Sequence, residues 1–166
     1  QCESDPHTPR VHLFEETAVV HSIYNAGYWP GAYTWWFREG RRAGTFASHG
    51  RVLLWLRNRA AIVWDDLILD RDGQAWAAHW QFPAGPYGLD AERRRAWTVG
   101  DGSNVLVQVL DSSEPTQMRV RQGERLPYRG WLPETGHGGS YQPAPQVAVE
   151  SLPRNRFALL TTLLMP

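Results

Sequence analysis

One short stretch of this 166-residue chain places aromatic rings beside arginine side chains. Residues 25–36 read NAGYWPGAYTWW and contain five aromatics, and residues 37–43, FREGRRA, add three arginines. Sugar rings present apolar CH faces that stack on Trp and Tyr, while guanidinium forks pair with carboxylate or sulfate groups. The candidate binding residues are Tyr28, Trp29, Tyr33, Trp35, Trp36, Arg38, Arg41 and Arg42. The stretch is either a platform for an acidic glycan or a set of aromatics that fills the core or an interface with another domain.

Four histidines are the titratable side chains best suited to bind a metal ion or a substrate. His21 lies in an apolar strand pattern and is either a metal or substrate ligand or a structural side chain. His49 opens the central strand series and is either directed at a cleft or placed at a strand end. His79 is expected to face solvent or a neighbouring strand, and His137 lies between two glycines of a long loop.

The remaining chemistry-bearing residues exclude several classes of protein. Asp65 and Asp66 are adjacent on a predicted strand and point to opposite faces, so they cannot act on one substrate bond. Cys2 is the only cysteine, which excludes an internal disulfide and a zinc motif of the CxxC type. The formal net charge is zero, and all 17 basic residues are Arg. This balance argues against nucleic-acid binding, and no apolar run is long enough for a membrane helix.

Three consecutive strands are predicted in the centre of the chain, at Val52–Leu56, Ala60–Leu69 and Gln74–Phe82. Asn58 tolerates the left-handed conformation of a tight hairpin, and Asp72-Gly73 is a strong hairpin signal. The three strands are therefore expected to be antiparallel neighbours.

The third of these strands has one aromatic face. Trp76, Ala78, Trp80 and Phe82 alternate with residues such as His79, and a period of two with large rings on one side predicts a packed face. That face requires a second layer of structure.

The rest of the chain also has the texture of short strands. Strands are expected at Arg10–Glu15 and Ala18–Tyr24, and around the Asp101-Gly102 hairpin signal, while residues 83–90 and 126–145 are expected to be loops. No amphipathic helix is evident. The sequence predicts an all-β fold, an antiparallel β-sandwich of about ten to twelve short strands, in a single domain over residues 1–166 with a loose lead-in at 1–9.

The strand series resembles the C-terminal β-domain of heparinase II/III-like polysaccharide lyases. Within RVLLWLRNRAAIVWDDLILDRDGQAWAAHWQFPAG, an apolar strand is followed by a "V.D.L" strand and an "H..FP.G" strand. The ending is similar too, with Arg129-Gly130-Trp131, then Tyr141 with Pro143-Ala144-Pro145, and a final strand that stops at Pro166. The likeness covers roughly residues 37–166 and rests on strand patterns rather than on catalytic signatures.

The resemblance implies a two-part enzyme in which a helical toroid precedes a β-sandwich and β-elimination cleaves a uronate-containing polysaccharide. Such chemistry needs a group that neutralises the carboxylate, a Tyr or His base and an acid. The chain lacks the family's "HxHxD" segment, and His21-Ser22 only loosely resembles its "HN" motif. His21 is thus the one candidate ligand for a divalent metal, zinc or calcium, if the family site is retained. No catalytic residue is assigned, and the isolated chain is not expected to be active.

The predicted function is a contribution to the substrate cleft and to glycan binding in such a lyase. Its partners would be an acidic polysaccharide, a glycosaminoglycan or alginate, and the helical toroid of the same bacterial enzyme, with no nucleic acid and no membrane. The resemblance implies a periplasmic or secreted location. The alternatives are a free-standing carbohydrate-binding module and a structural sandwich that docks onto a helical catalytic domain.

Overall fold

The computed structural model describes residues 9–24, 48–69, 72–125, 128–134, 140–151 and 157–166. None of these residues lies in a helix, so the described part of the chain offers no helical membrane span. They form fifteen strands: β1 (Arg10–Leu13), β2 (Thr17–Tyr24), β3 (Ser48–Leu56), β4 (Ala60–Ile68), β5 (Ala77–Gln81), β6 (Tyr87–Asp90), β7 (Arg95–Thr98), β8 (Leu106–Ser112), β9 (Thr116–Arg121), β10 (Glu124–Arg125), β11 (Tyr128–Arg129), β12 (Trp131–Pro133), β13 (Tyr141–Pro143), β14 (Gln146–Ser151) and β15 (Phe157–Met165).

Two antiparallel sheets make up most of the fold. The large sheet has eight strands in the order β1-β2-β3-β4-β15-β8-β7-β6, and the small sheet has three in the order β5-β14-β9. The last strand, β15, thus lies between β4 and β8 in the middle of the large sheet. Two short hairpins, β10–β11 and β12–β13, complete the strand set. The prediction of an all-β, antiparallel sandwich-like fold is confirmed.

The hydrophobic core lies between the two sheets. Its members come from inward positions of both layers: Phe82, Ala96, Val107, Val109, Met118, Val147, Val149 and Leu160. Trp76, Ala78 and Trp80 pack against this cluster, whereas His79 is exposed. The predicted aromatic face of β5 is therefore confirmed, and the large sheet is the layer that it packs against.

The turn signals were correct locally, but one was assigned the wrong partner strands. Asn58 has φ of 56° in the turn between β3 and β4, and Gly73 has φ of 74°. β3 and β4 are paired, as expected. β5, however, pairs with β14 in the small sheet, so the Asp72-Gly73 turn belongs to a crossover between sheets. The large rings of β5 explain the difference, because they must face the other layer.

Two segments predicted as loops contain strands. Residues 87–90 form β6, which pairs with β7, and the predicted loop at 126–145 contains the short strands β11 to β13. Strands of two to four residues are too short to show a periodic pattern. The strands around Asp101-Gly102 pair as predicted, with Trp97 opposite Leu106.

The outward face of the large sheet is unusually apolar. Trp64 is 54% exposed and Phe157 is 66% exposed, and Ile68 and Leu159 on the same face are exposed as well. Phe157 lies directly opposite Ile68 across β15 and β4. An antiparallel sheet commonly keeps its solvent face polar, so these exposed apolar side chains are a distinctive feature of the outward face.

Candidate functional site

A buried carboxylate holds a histidine and an arginine together at one end of the sandwich. Arg51 on β3 and Asp65 on β4 lie directly opposite each other in register, and His49 is two residues away from Arg51 on the same face of β3. Alternation along β4 turns Asp65 inward together with Val63, and both residues are 2% exposed. The β3–β4 hairpin therefore brings all three side chains to the inner face of the large sheet.

The contacts between these groups are short and directional. His49 Nε2 lies 2.7 Å from Asp65 Oδ1. Arg51 donates from Nε to Oδ1 at 2.6 Å and from Nη2 to Oδ2 at 3.1 Å. This two-point geometry matches the planar guanidinium fork to the planar carboxylate and fixes the orientation of Arg51.

The pKa of Asp65 reflects two opposing effects. Burial raises the pKa of the carboxyl, but the hydrogen bonds from His49 and Arg51, with the charges of these groups, outweigh it. The pKa of Asp65 therefore lies below its ordinary value, and the side chain is an anion at neutral pH. A buried anion needs such partners, because an unpaired charge in the interior is strongly unfavourable.

Trp80 extends the group to the small sheet. The Arg51 guanidinium lies over the Trp80 ring, 5.4 Å from its centroid, in a favourable cation–π arrangement. The Trp80 indole Nε1 is buried and has no hydrogen-bond partner among the described residues. The Arg51 side chain is 42% exposed, whereas that of Asp65 is 3% exposed. The cluster thus has a buried carboxylate, that of Asp65, and one solvent-accessible cationic side chain, that of Arg51.

This arrangement can bind an anion at its exposed edge. Asp65 uses Nε and Nη2 of Arg51, and among the described residues no hydrogen bond engages Nη1. The His49 side chain, which is 19% exposed, contacts the same Asp65 carboxylate. A guanidinium that is held rigid on one side loses little conformational entropy when it pairs with a carboxylate or sulfate on the other.

The predicted site residues fall into three groups. His49 belongs to the cluster described here. His21 lies in register with Val52 and Arg10, on the opposite face of the large sheet from Arg51. The aromatic and arginine residues Tyr28, Trp29, Trp35, Trp36, Arg38 and Arg41, together with His137, lie outside the described residues. Their role in glycan binding stays a prediction.

The metal assignment of His21 also stays a prediction. Within the described ranges, no group of three or more His, Cys, Asp or Glu side chains is placed to hold a metal ion. His21 and His49 point to opposite faces, so the fold does not gather them around one ion.

Sequence reasoning missed three members of the cluster, Arg51, Asp65 and Trp80. One signal was present: Asp65 shares the inward parity of Val63, and an acidic residue at an inward strand position needs a cationic partner. The identity of that partner depends on the register of β3 against β4, which was not predicted residue by residue.

The fold of this chain is similar to that of several solved heparinase-type lyases. Heparan sulfate lyase HepC from Pedobacter heparinus superposes with a TM-score of 0.70 at 16% identity, covering 97% of this chain and 21% of that one. The heparinase III BT4657 gene product gives a TM-score of 0.62 at 17% identity, covering 89% and 19%. A further heparinase III structure gives 0.63 at 12% identity, covering 95% and 21%.

These similarities confirm the predicted resemblance to heparinase-type lyases at the level of the fold. The chain spans about a fifth of the length of these enzymes. No protein-family model matches the sequence, and no curated protein sequence is significantly similar to it.

Proposed function

We propose that this chain is the β-sandwich part of a larger polysaccharide lyase that acts on an acidic, uronate-containing polysaccharide. The observation that carries the proposal is the fold, which matches heparin- and heparan-sulfate-type lyases over 89–97% of this chain. The matched unit is only 19–21% of each of those enzymes. The rest of the catalytic machinery is therefore expected in a part of the enzyme outside these 166 residues.

Arg51 is the residue we assign to the substrate. β-Elimination from a uronate requires a cation that neutralises the carboxylate as charge develops at the neighbouring carbon. Arg51 offers a rigid guanidinium with an exposed edge, held by Asp65 and Trp80. His49 shares the Asp65 carboxylate and, when protonated, adds a second positive charge at the same place. The base and acid of the reaction are left to the remainder of the enzyme.

An assay of β-elimination tests this division of labour. The isolated chain is incubated with heparin, heparan sulfate and alginate while the absorbance of the unsaturated product is followed. We expect no turnover by the isolated chain, and turnover by the product of the full native reading frame. Robust turnover by the chain alone would contradict the division, and an inactive full-length product would contradict the lyase assignment.

A second function, docking onto a helical catalytic domain, is favoured by the apolar outward face of the large sheet. Trp64, Ile68, Phe157 and Leu159 are all exposed there, around the exposed Asp66 of the same face, and large apolar side chains grouped on one exposed face mark an interaction surface. The helical domain predicted from the resemblance is the partner we assign to it. Trp64→Ala should weaken association with that domain supplied in trans, while Arg51→Lys should not.

A further inference from the structure

The outward face of the small sheet carries a second group of cationic side chains, on the opposite side of β5 from Trp80. In register across the three strands, His79 and Arg119 flank Ala148 of the central strand β14. Arg121 and Glu150 also point outward, because they alternate with the inward residues Val120 and Val149. His79, Arg119, Arg121 and Glu150 thus lie on one face of the small sheet, on the side away from the core residues Val147 and Val149.

A third arginine reaches this face from the β10–β11 hairpin. Arg129 precedes Gly130, whose carbonyl oxygen accepts hydrogen bonds from the backbone of Gly123 at 3.0 Å and Ala144 at 2.8 Å. Gly130 has φ of 70°, and a Cβ at this position would lie 2.5 Å from the carbonyl oxygen of Arg121. The hairpin is therefore fixed against β9, and Arg129 is carried to Glu150.

The three arginines are not equally neutralised. Arg121 forms an ion pair with Glu150 and a second with Glu124 at 3.2 Å. Arg119 Nε and Arg129 Nη1 lie 3.8 and 3.9 Å from the Glu150 carboxylate, beyond a good hydrogen bond. Three guanidiniums thus face two carboxylates, so a net positive charge remains among these five groups.

The two arginines that are only loosely paired with a carboxylate are also the accessible ones, although Arg119 Nη2 donates to Gln117 Oε1 at 2.7 Å. The side chain of Arg119 is 58% exposed and that of Arg129 is 34% exposed, against 21% for Arg121. Arg121 therefore serves to anchor Glu150, and Arg119 and Arg129 present donors to the solvent. Arg119 belongs to β9 and Arg129 to β11, so the two guanidiniums are carried by different strands.

The pKa of His79 responds to the charged groups on this face. Desolvation of the ring by neighbouring protein atoms is the main effect that lowers the pKa of His79, although the residue is exposed at the surface; the nearby Arg129 and Arg121 lower it further, while Glu150 acts in the opposite direction. An anion held beside the ring would reverse the effect of the arginines. The pKa of His79 can therefore be used to detect anion binding on this face.

We propose that Arg119 and Arg129, with His79 beside them, form a second anion-binding site that takes a sulfate ester of a sulfated glycan. A sulfate group accepts hydrogen bonds from several directions at once, which suits two guanidiniums carried by two separate strands, β9 and β11. A planar carboxylate is served better by one fork, as Asp65 is served by Arg51. The site does not depend on the proposed lyase function, since it lies on the other face of the small sheet and needs no catalysis.

The test compares matched variants of the 166-residue chain by calorimetric titration with a sulfated uronate oligosaccharide. The double variant Arg119→Gln/Arg129→Gln should weaken binding at this site about tenfold or more, since two charge-assisted contacts are lost, and should leave the binding that depends on Arg51 unchanged. The control Arg125→Gln removes an exposed arginine from the same hairpin region and should change affinity less than about twofold. Equal losses in the two would show that only general charge matters and would overturn the site.

A second readout uses the unmutated chain and is independent of how variants fold. The pKa of His79, followed by NMR, should rise when the sulfated oligosaccharide is saturating, and an unsulfated uronate oligosaccharide of the same length should produce a smaller rise. An unchanged His79 pKa would overturn the site, and equal rises with both ligands would overturn the choice of sulfate. If Arg51→Lys loses binding and the double variant does not, this site is refuted and the proposed function stands. If the double variant loses binding and Arg51→Lys does not, this site stands and the proposed role of Arg51 is contradicted.

Discussion

Arg51 and Asp65 face each other across β3 and β4, joined by two hydrogen bonds of 2.6 and 3.1 Å, and the same carboxylate holds His49. Asp65 is thus the centre of the group, because it orients both the Arg51 guanidinium and the His49 ring. The Arg51 guanidinium is further held against Trp80 of the other sheet. One buried anion therefore joins the two layers of the sandwich at the place where we propose that the substrate lies.

Replacing Asp65 by Asn should destabilise the chain by about 2 kcal/mol. Breaking a buried pair costs more when both partners are buried, but Arg51 is 42% exposed and can turn to solvent. Urea unfolding measures the change. Asp66→Asn is the matched control, since Asp66 is exposed on the opposite face of the same strand, and it should change stability by less than about 0.5 kcal/mol. Similar losses for the two variants would contradict the burial of Asp65 among its partners.

The contribution of Asp65 should disappear in acid. Its folded pKa is lowered, so its stabilisation is complete above the unfolded value of about 3.9 and is lost as the pH falls through the folded pKa. The pKa of Glu150 is lowered as well, so the pH dependence of stability of the unmutated chain does not by itself isolate the contribution of Asp65. The difference in unfolding free energy between the unmutated chain and Asp65→Asn should be largest near neutral pH and shrink below about pH 3.9. A difference in unfolding free energy that increased in acid would contradict this prediction.

Neighbouring residues of β5 should respond very differently to truncation. Trp80→Ala removes a ring that packs against the core and should cost roughly 3–5 kcal/mol. His79→Ala removes an exposed side chain from the other face and should cost far less. Chemical denaturation of both variants decides the point, and equal losses would mean that the two faces of the strand are reversed.

Gly130 should tolerate no side chain. It has φ of 70°, and an added Cβ would meet backbone atoms of Arg121 and Gln122 at 2.5–2.8 Å. Gly130→Ala should therefore destabilise by more than about 1 kcal/mol. Gly102→Ala is the control, since a Cβ at Gly102 would meet nothing within 4 Å. Thermal melts of the two variants should separate clearly, and matching melts would contradict the tight approach of the hairpin to β9.

The positions of most long strands could be predicted because they depend on local pattern. The alternation in β5 and the Asn58 turn are properties of a few adjacent residues. Sheet membership is not local: whether β5 pairs with β4 or with β14 depends on which arrangement covers its aromatic face. The Asp72-Gly73 signal describes only the turn, and for this reason it suggested the wrong neighbour.

The candidate sites were harder to predict for the same reason. His49 was identified by type and position, but its grouping with Asp65 spans 16 residues and requires the register of the β3–β4 hairpin. Arg129 and Glu150 are brought together by hairpins whose strands are two or three residues long, and such strands leave no periodic signal in the sequence. Sequence alone shows the residue types, and the fold decides which of them meet.

Calorimetric titration of the chain with a heparan sulfate oligosaccharide, and with a neutral oligosaccharide of the same length, tests the proposed role in acidic-glycan binding most directly. We expect saturable binding of the acidic ligand alone. Arg51→Lys keeps the charge but loses the fork, and it should weaken binding about fivefold or more, whereas Arg57→Lys, in the exposed β3–β4 turn, should leave it unchanged. Absent binding, equal binding of the neutral ligand, or equal losses in the two variants would contradict the proposal.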